Sequence, residues 1–207
     1  MLNIAYKGKL KSENQLIGDD KLPQKAVQFN EGENIEDLFN FGFVIELPII
    51  IPIMLITIFR LENIEGHINL NLRLIFIIAV AFLLNYLLNF IHSILFPIKS
   101  EKTIWNATKG AYFIYCNAKI SKSRFIVISL APMIILGIIP FIIWVFTANK
   151  MEFTISLAYV ILTWIMIISA MGDLANVYNT IKQVPRNAKV FNYGLQSYWI
   201  NENPDLQ

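Results

Sequence analysis

Residues 74–98 read LIFIIAVAFLLNYLLNFIHSILFPI. The run lies between Arg73 and Lys99 and contains no Asp, Glu, Lys or Arg. Its 25 residues are enough to cross a bilayer as a helix, which needs roughly 17–25. Asn85, Asn89 and His92 interrupt it. At about 100° per residue, steps of four and three place all three on one side of that helix. A polar stripe inside a membrane span is costly, so it faces protein or water and points to a site.

The rest of the chain fits a membrane reading. Of 207 residues, 56% are hydrophobic and 15% charged, against about 45–50% and about 25% in soluble domains. The excess is gathered into blocks at 43–59, 74–98, 125–147 and 153–172, bounded by Arg60, Arg73, Lys99, Arg124, Lys150 and Asp173. The expected fold class is an all-α polytopic membrane protein with four transmembrane helices. Residues 1–42 form an N-terminal segment, 43–177 the membrane domain with a loop at 99–124, and 178–207 a tail. With only Cys116, no intrachain disulfide can form. Residues 1–11 hold three lysines with no apolar core after them, so no secretory signal is expected there.

Basic residues orient the spans. Five precede the first block (Lys7, Lys9, Lys11, Lys21, Lys25). Six lie between the second and third (Lys99, Lys102, Lys109, Lys119, Lys122, Arg124), and Lys182, Arg186 and Lys189 follow the fourth. Only Arg60, Arg73 and Lys150 fall on the other side. The positive-inside rule then places both termini and the middle loop in the cytoplasm of a multi-pass cell-membrane protein. His92, seven residues before Lys99, lies roughly 10 Å inside that face, where Asp173 also ends the fourth block.

Pro48 and Pro52 in the first block, and Pro132, Gly137 and Pro140 in the third, predict kinked helices. Residues 110–120, GAYFIYCNAKI, read as a strand or hairpin at the membrane surface, and 189–194 as another short strand. Tyr198 and Trp199 suit an interfacial anchor. His67 is expected in a solvated loop, and Glu46 at the membrane interface facing water. No phosphate loop, dinucleotide fingerprint, nucleophile elbow or nucleic-acid module is present.

Several segments together resemble one family. They are Leu22-Pro23 with Ala26, Val27 and Phe29; His92-Ser93-Ile94-Leu95-Phe96-Pro97; the stretch 110–120 leading to Ser129-Leu130-Ala131-Pro132; and Gly172-Asp173-Leu174 with Asn176 and Tyr178. In order and spacing the chain resembles the bacterial membrane zincin peptidases, which are related to site-2 proteases. The resemblance implies a site-2-protease-like bundle with a small membrane-surface β-element. It also implies a His-Glu-x-x-His motif on the second span and Gly-Asp after the fourth, with two histidines and the aspartate holding zinc and the glutamate activating water.

Here the motif reads Leu88-Asn89-Phe90-Ile91-His92. His92 and Asp173 match ligand positions; Leu88 has no donor, and Asn89 cannot take a proton from water. The leading expectation is therefore a catalytically inactive, zincin-like membrane protein. Asn85, Asn89, His92, Asp173 and Asn176 would form a hydrogen-bonded polar network, with His92 and Asp173 as vestigial ligands. No cofactor is expected, zinc being the sole candidate. The expected partners are the lipid bilayer and a membrane-protein or peptide partner, not nucleic acid, with Tyr112 and Ile114 on a peptide-binding strand. Two alternatives stand beside it: a bacteriocin or toxin immunity or accessory protein on the same scaffold, and a zinc metalloprotease with an altered site.

Overall fold

The structure is a computed structural model and describes residues 3–18, 21–30, 35–67, 72–106 and 112–201. The apolar blocks are helical. The first lies in α2 (Ile35–Glu62) and the second in α3 (Leu72–Leu95). The third is split into α4 (Lys122–Pro132), a π-helical stretch (Met133–Ile138) and α5 (Ile139–Thr147). The fourth is α6 (Phe153–Ile168), followed at once by α7 (Met171–Gln183). Among the described residues three helical stretches are long and apolar enough to cross a membrane: Asn40–Glu62, Lys122–Lys150 and Phe153–Gln183. The last extends 11 residues past the expected end at Gly172.

The all-α expectation needs correction, because the chain also builds two sheets. In the first, β1 (Ile4–Lys9) runs parallel to β3 (Lys102–Asn106), which pairs antiparallel with β4 (Tyr112–Tyr115). In the second the order is β2 (Val27–Gln28), β7 (Gln196–Ile200), β6 (Lys189–Tyr193) and β5 (Ile120–Ser121). The stretch 110–120 is thus not a hairpin on itself: β4 joins one sheet and β5 the other. Strand pairing is long-range, and a period read from one segment does not reveal its partner. Tyr198 and Trp199 sit within β7. The β6–β7 turn is the two-residue loop Gly194-Leu195, and Gly194, at φ 64°, supplies the left-handed backbone that such a hairpin needs.

The chain divides into two compact units. The first comprises residues 1–32, 89–129 and 176–207 and holds both sheets. Its core gathers Phe29, Phe96, Cys116, Ile120, Phe125, Val184 and Val190, with a satellite of Leu16, Trp105 and Tyr115. The second comprises residues 33–88 and 130–175. Its core packs Ile53 of α2 with Phe141, Trp144, Val160 and Ile167. Two indole N–H groups are satisfied there, that of buried Trp144 by Ser156 Oγ at 2.9 Å and that of half-buried Trp164 by Thr57 Oγ1 at 3.2 Å. Outward residues such as Leu55, Phe59, Ile142 and Phe146 are exposed hydrocarbon, as a lipid-facing surface requires.

Candidate functional site

His92 sits in the last turn of α3, and three kinds of bond fix that end of the helix. Pro97 has no N–H to continue the ladder, so the helix stops after the Phe96 amide bonds the His92 carbonyl at 3.2 Å. Arg124 of α4 then donates Nε (3.0 Å) and Nη2 (2.8 Å) to the Leu95 carbonyl. Lys102 of β3 donates Nζ to the Pro97 carbonyl at 2.9 Å, which also accepts Ser100 Oγ at 2.7 Å. Cations at a helix C-terminus satisfy carbonyls that lack intrahelical partners and favour the negative end of the dipole. Lys102 is 0% exposed, so its ammonium is committed to this cap. Neither cap is visible as a motif; each needs a strand or helix brought in from elsewhere in the chain.

On α3 itself, Asn89 is buried and His92 half-buried, with no solvent surface on Nε2. Ser93, also buried, turns its hydroxyl back to the Phe90 carbonyl at 2.8 Å. Leu88 is half-buried. Asn85 lies on α3, but its side chain is outside the described ones. Asn176 is half-buried on α7; its carbonyl accepts Thr180 Oγ1 at 2.7 Å. Asn89, His92 and Asn176 belong to the first unit, and Asp173, in the first turn of α7, belongs to the second. His67 is exposed after α2, as expected. Ile114 is half-buried on β4, whose Tyr112 side chain lies outside the described ones. In the order β1-β3-β4, β4 is an edge strand.

Glu46 departs from expectation. It does not face water: its residue is 0% exposed, and among the described residues neither carboxylate oxygen has a hydrogen-bond partner. The reason lies in helical phase. Gly42, Glu46, Ile53 and Thr57 recur at steps of four, seven and four, and all are buried. Glu46 occupies a core position of α2, whereas Pro48 and Val44 take the exposed side. An isolated reading of an amphipathic end misses this, because α2 is apolar all round and gives no direction to its buried face.

A zincin centre takes three protein ligands and a base. The donor chemistry at the motif positions does not fit that demand, since Leu88 offers hydrocarbon and Asn89 an amide. Among the described residues no three His, Cys, Asp or Glu side chains gather closely enough to hold a metal ion. A family model described as Putative zincin peptidase matches residues 81–189, more than half of the chain. No curated protein and no solved structure matches.

Proposed function

We propose that this chain, which belongs to the putative zincin peptidase family, is a membrane-embedded member that binds a peptide partner and does not cleave it. The observation that carries the reading is the pair Leu88 and Asn89 on α3, one turn before His92, inside the matched segment. An amide has no basic lone pair with which to take a proton from attacking water. A single imidazole with one carboxylate leaves a zinc ion two ligands short of a tetrahedral site. Four spans with both termini in the cytoplasm are part of the same proposal, supported by the clustering of basic residues outside the helices.

The binding half of the proposal rests on β4. One side of this strand pairs with β3, from Thr103 opposite Tyr115 to Asn106 opposite Tyr112. The other side is an edge, whose backbone groups can extend the sheet by one strand of a bound segment. Ile114 would then offer a contact for alternate side chains of that segment. A photo-crosslinking residue at Ile114, in cells, should capture a peptide or protein, while the same probe at exposed Phe146 should capture lipid. Zinc measured after purification without added metal should fall below about 0.1 per chain. Near-stoichiometric zinc lost on His92→Ala would overturn the inactive reading, and lipid alone at Ile114 would overturn the binding one.

A further inference from the structure

At the end of α3 the first unit carries a groove of about 360 Å³, lined by Ile94, Leu95, Ser123, Arg124, Val127 and Ile128. That is within the range of small-molecule pockets, about 300–1,000 Å³. Its walls are hydrocarbon open to the outside: Ile94 is 46% exposed and Val127 55%. Among the described residues Arg124 is the one charged member of the lining. Its bonds to the Leu95 carbonyl set the start of α4 level with the end of α3. In sequence Arg124 opens the apolar block 125–147, and Lys99 follows the block 74–98. Two membrane boundaries therefore meet at this groove, with exposed hydrocarbon on one side of Arg124 and charge on the other.

The chain around the groove is one-sided in charge. Residues 102–151 and 174–201 contain no Asp or Glu. Their described basic residues include Lys119, Lys122, Lys182 and Lys189 besides Arg124. Lys122 donates to the Ile181 and Val184 carbonyls at 3.1 and 2.7 Å, which brings the end of α7 beside the start of α4. Ser121 pairs with Lys189 in the strand ladder. Carbonyls satisfy these N–H groups without neutralising their charge. A guanidinium has five N–H donors, and the Leu95 carbonyl takes two of those on Arg124. Among the described residues nothing accepts from the other three.

We infer that this groove binds one anionic phospholipid, with the phosphate on Arg124 and Ser123 and an acyl chain along Ile94, Val127 and Ile128. Arginine meets phosphate through parallel N–H groups, and exposed Ser123 adds a hydroxyl beside it. Basic pockets between helices at the membrane surface hold lipid head groups in this way. An apolar groove alone would take the hydrocarbon of any lipid. The uncompensated cations select a head group of net negative charge. The site requires that the chain lie in a membrane; it is independent of peptide binding at β4 and asks nothing of Leu88 or Asn89.

Phosphatidylglycerol is the probe and phosphatidylcholine its neutral counterpart. The full chain, stripped of lipid in a non-ionic detergent, is titrated with each, and bound lipid is counted by native mass spectrometry. One phosphatidylglycerol per chain should bind first, about fivefold tighter than phosphatidylcholine. Val127→Trp fills the groove from its exposed side. It should weaken phosphatidylglycerol by about fivefold or more while the melting temperature stays that of the parent. Arg124→Ala, measured below its own melting transition, should bind the two lipids alike. Ile142→Trp, at an exposed position of the second unit, should bind as the parent does. Equal binding of the two lipids by the parent, or undiminished binding in Val127→Trp, overturns the inference. So does the same loss in Ile142→Trp, which would make the effect one of detergent and not of the groove. Competition by soluble glycerol phosphate at the concentrations where the lipid binds also overturns it, since the site would then hold a free anion.

Discussion

Arg124→Ala tests whether the end of the His92 helix is held from outside. Arg124 reaches from α4 to the Leu95 carbonyl with two N–H groups, at 3.0 and 2.8 Å. Leu95 is three residues past His92, so loosening this turn loosens the histidine. A hydrogen bond from a charged donor contributes about 1.5–3 kcal/mol. Both donors share one acceptor, and Arg124 is exposed, so a single discounted bond of about 1–2 kcal/mol is the realistic loss. For a chain of this size that lowers the melting temperature by roughly 2–8 °C. Arg124→Lys keeps the charge but not the fork, and should recover about half of the loss. Thermal unfolding in nanodiscs gives the stability, and amide exchange of residues 92–96 gives the location. Unchanged protection of those amides in a destabilised Arg124→Ala protein would refute the capping argument. So would an unchanged melting temperature.

Gly137→Ala forces a methyl against Ile167 and should cost about 1–3 kcal/mol, read as a lower melting temperature. Trp144→Phe leaves the buried Ser156 hydroxyl without its indole partner, for a loss of about 1–3 kcal/mol in the same assay. Leu88→His with Asn89→Glu places His-Glu-x-x-His on α3 again, and zinc content should rise from below about 0.1 toward one per chain. A folded double variant that takes up no zinc would show that the surrounding geometry has drifted along with the motif.

Much of the helical framework is legible in the sequence because membrane spans obey a local rule. Enough consecutive apolar residues, ended by a charge, must close their backbone hydrogen bonds within one segment. The blocks at 43–59, 125–147 and 153–172 therefore return as helices, with Pro132 and Pro140 flanking the π-helical break and Gly137 inside it. The residues at the motif positions are local information too: Leu88 is a hydrocarbon and Asn89 an amide wherever α3 lies. The sheets were only half visible, since β3 and β1 pair across nearly a hundred residues of chain.

What the sequence determined by itself is that this chain is rich in membrane-length helices and carries His92 preceded by Leu88 and Asn89, a hydrocarbon and an amide. Both follow from side-chain chemistry and spacing along one segment. Only the tertiary structure decided that, among the described residues, Glu46 is a core residue without a donor and β4 an edge, and that Lys102 is a buried cap. Each depends on which distant element lies opposite. In α2, hydrophobic on every side, no periodicity marks the buried face; the approach of Gly42 to Met171 and the packing of Ile49 against the cluster of Met133, Ala170 and Leu174 do.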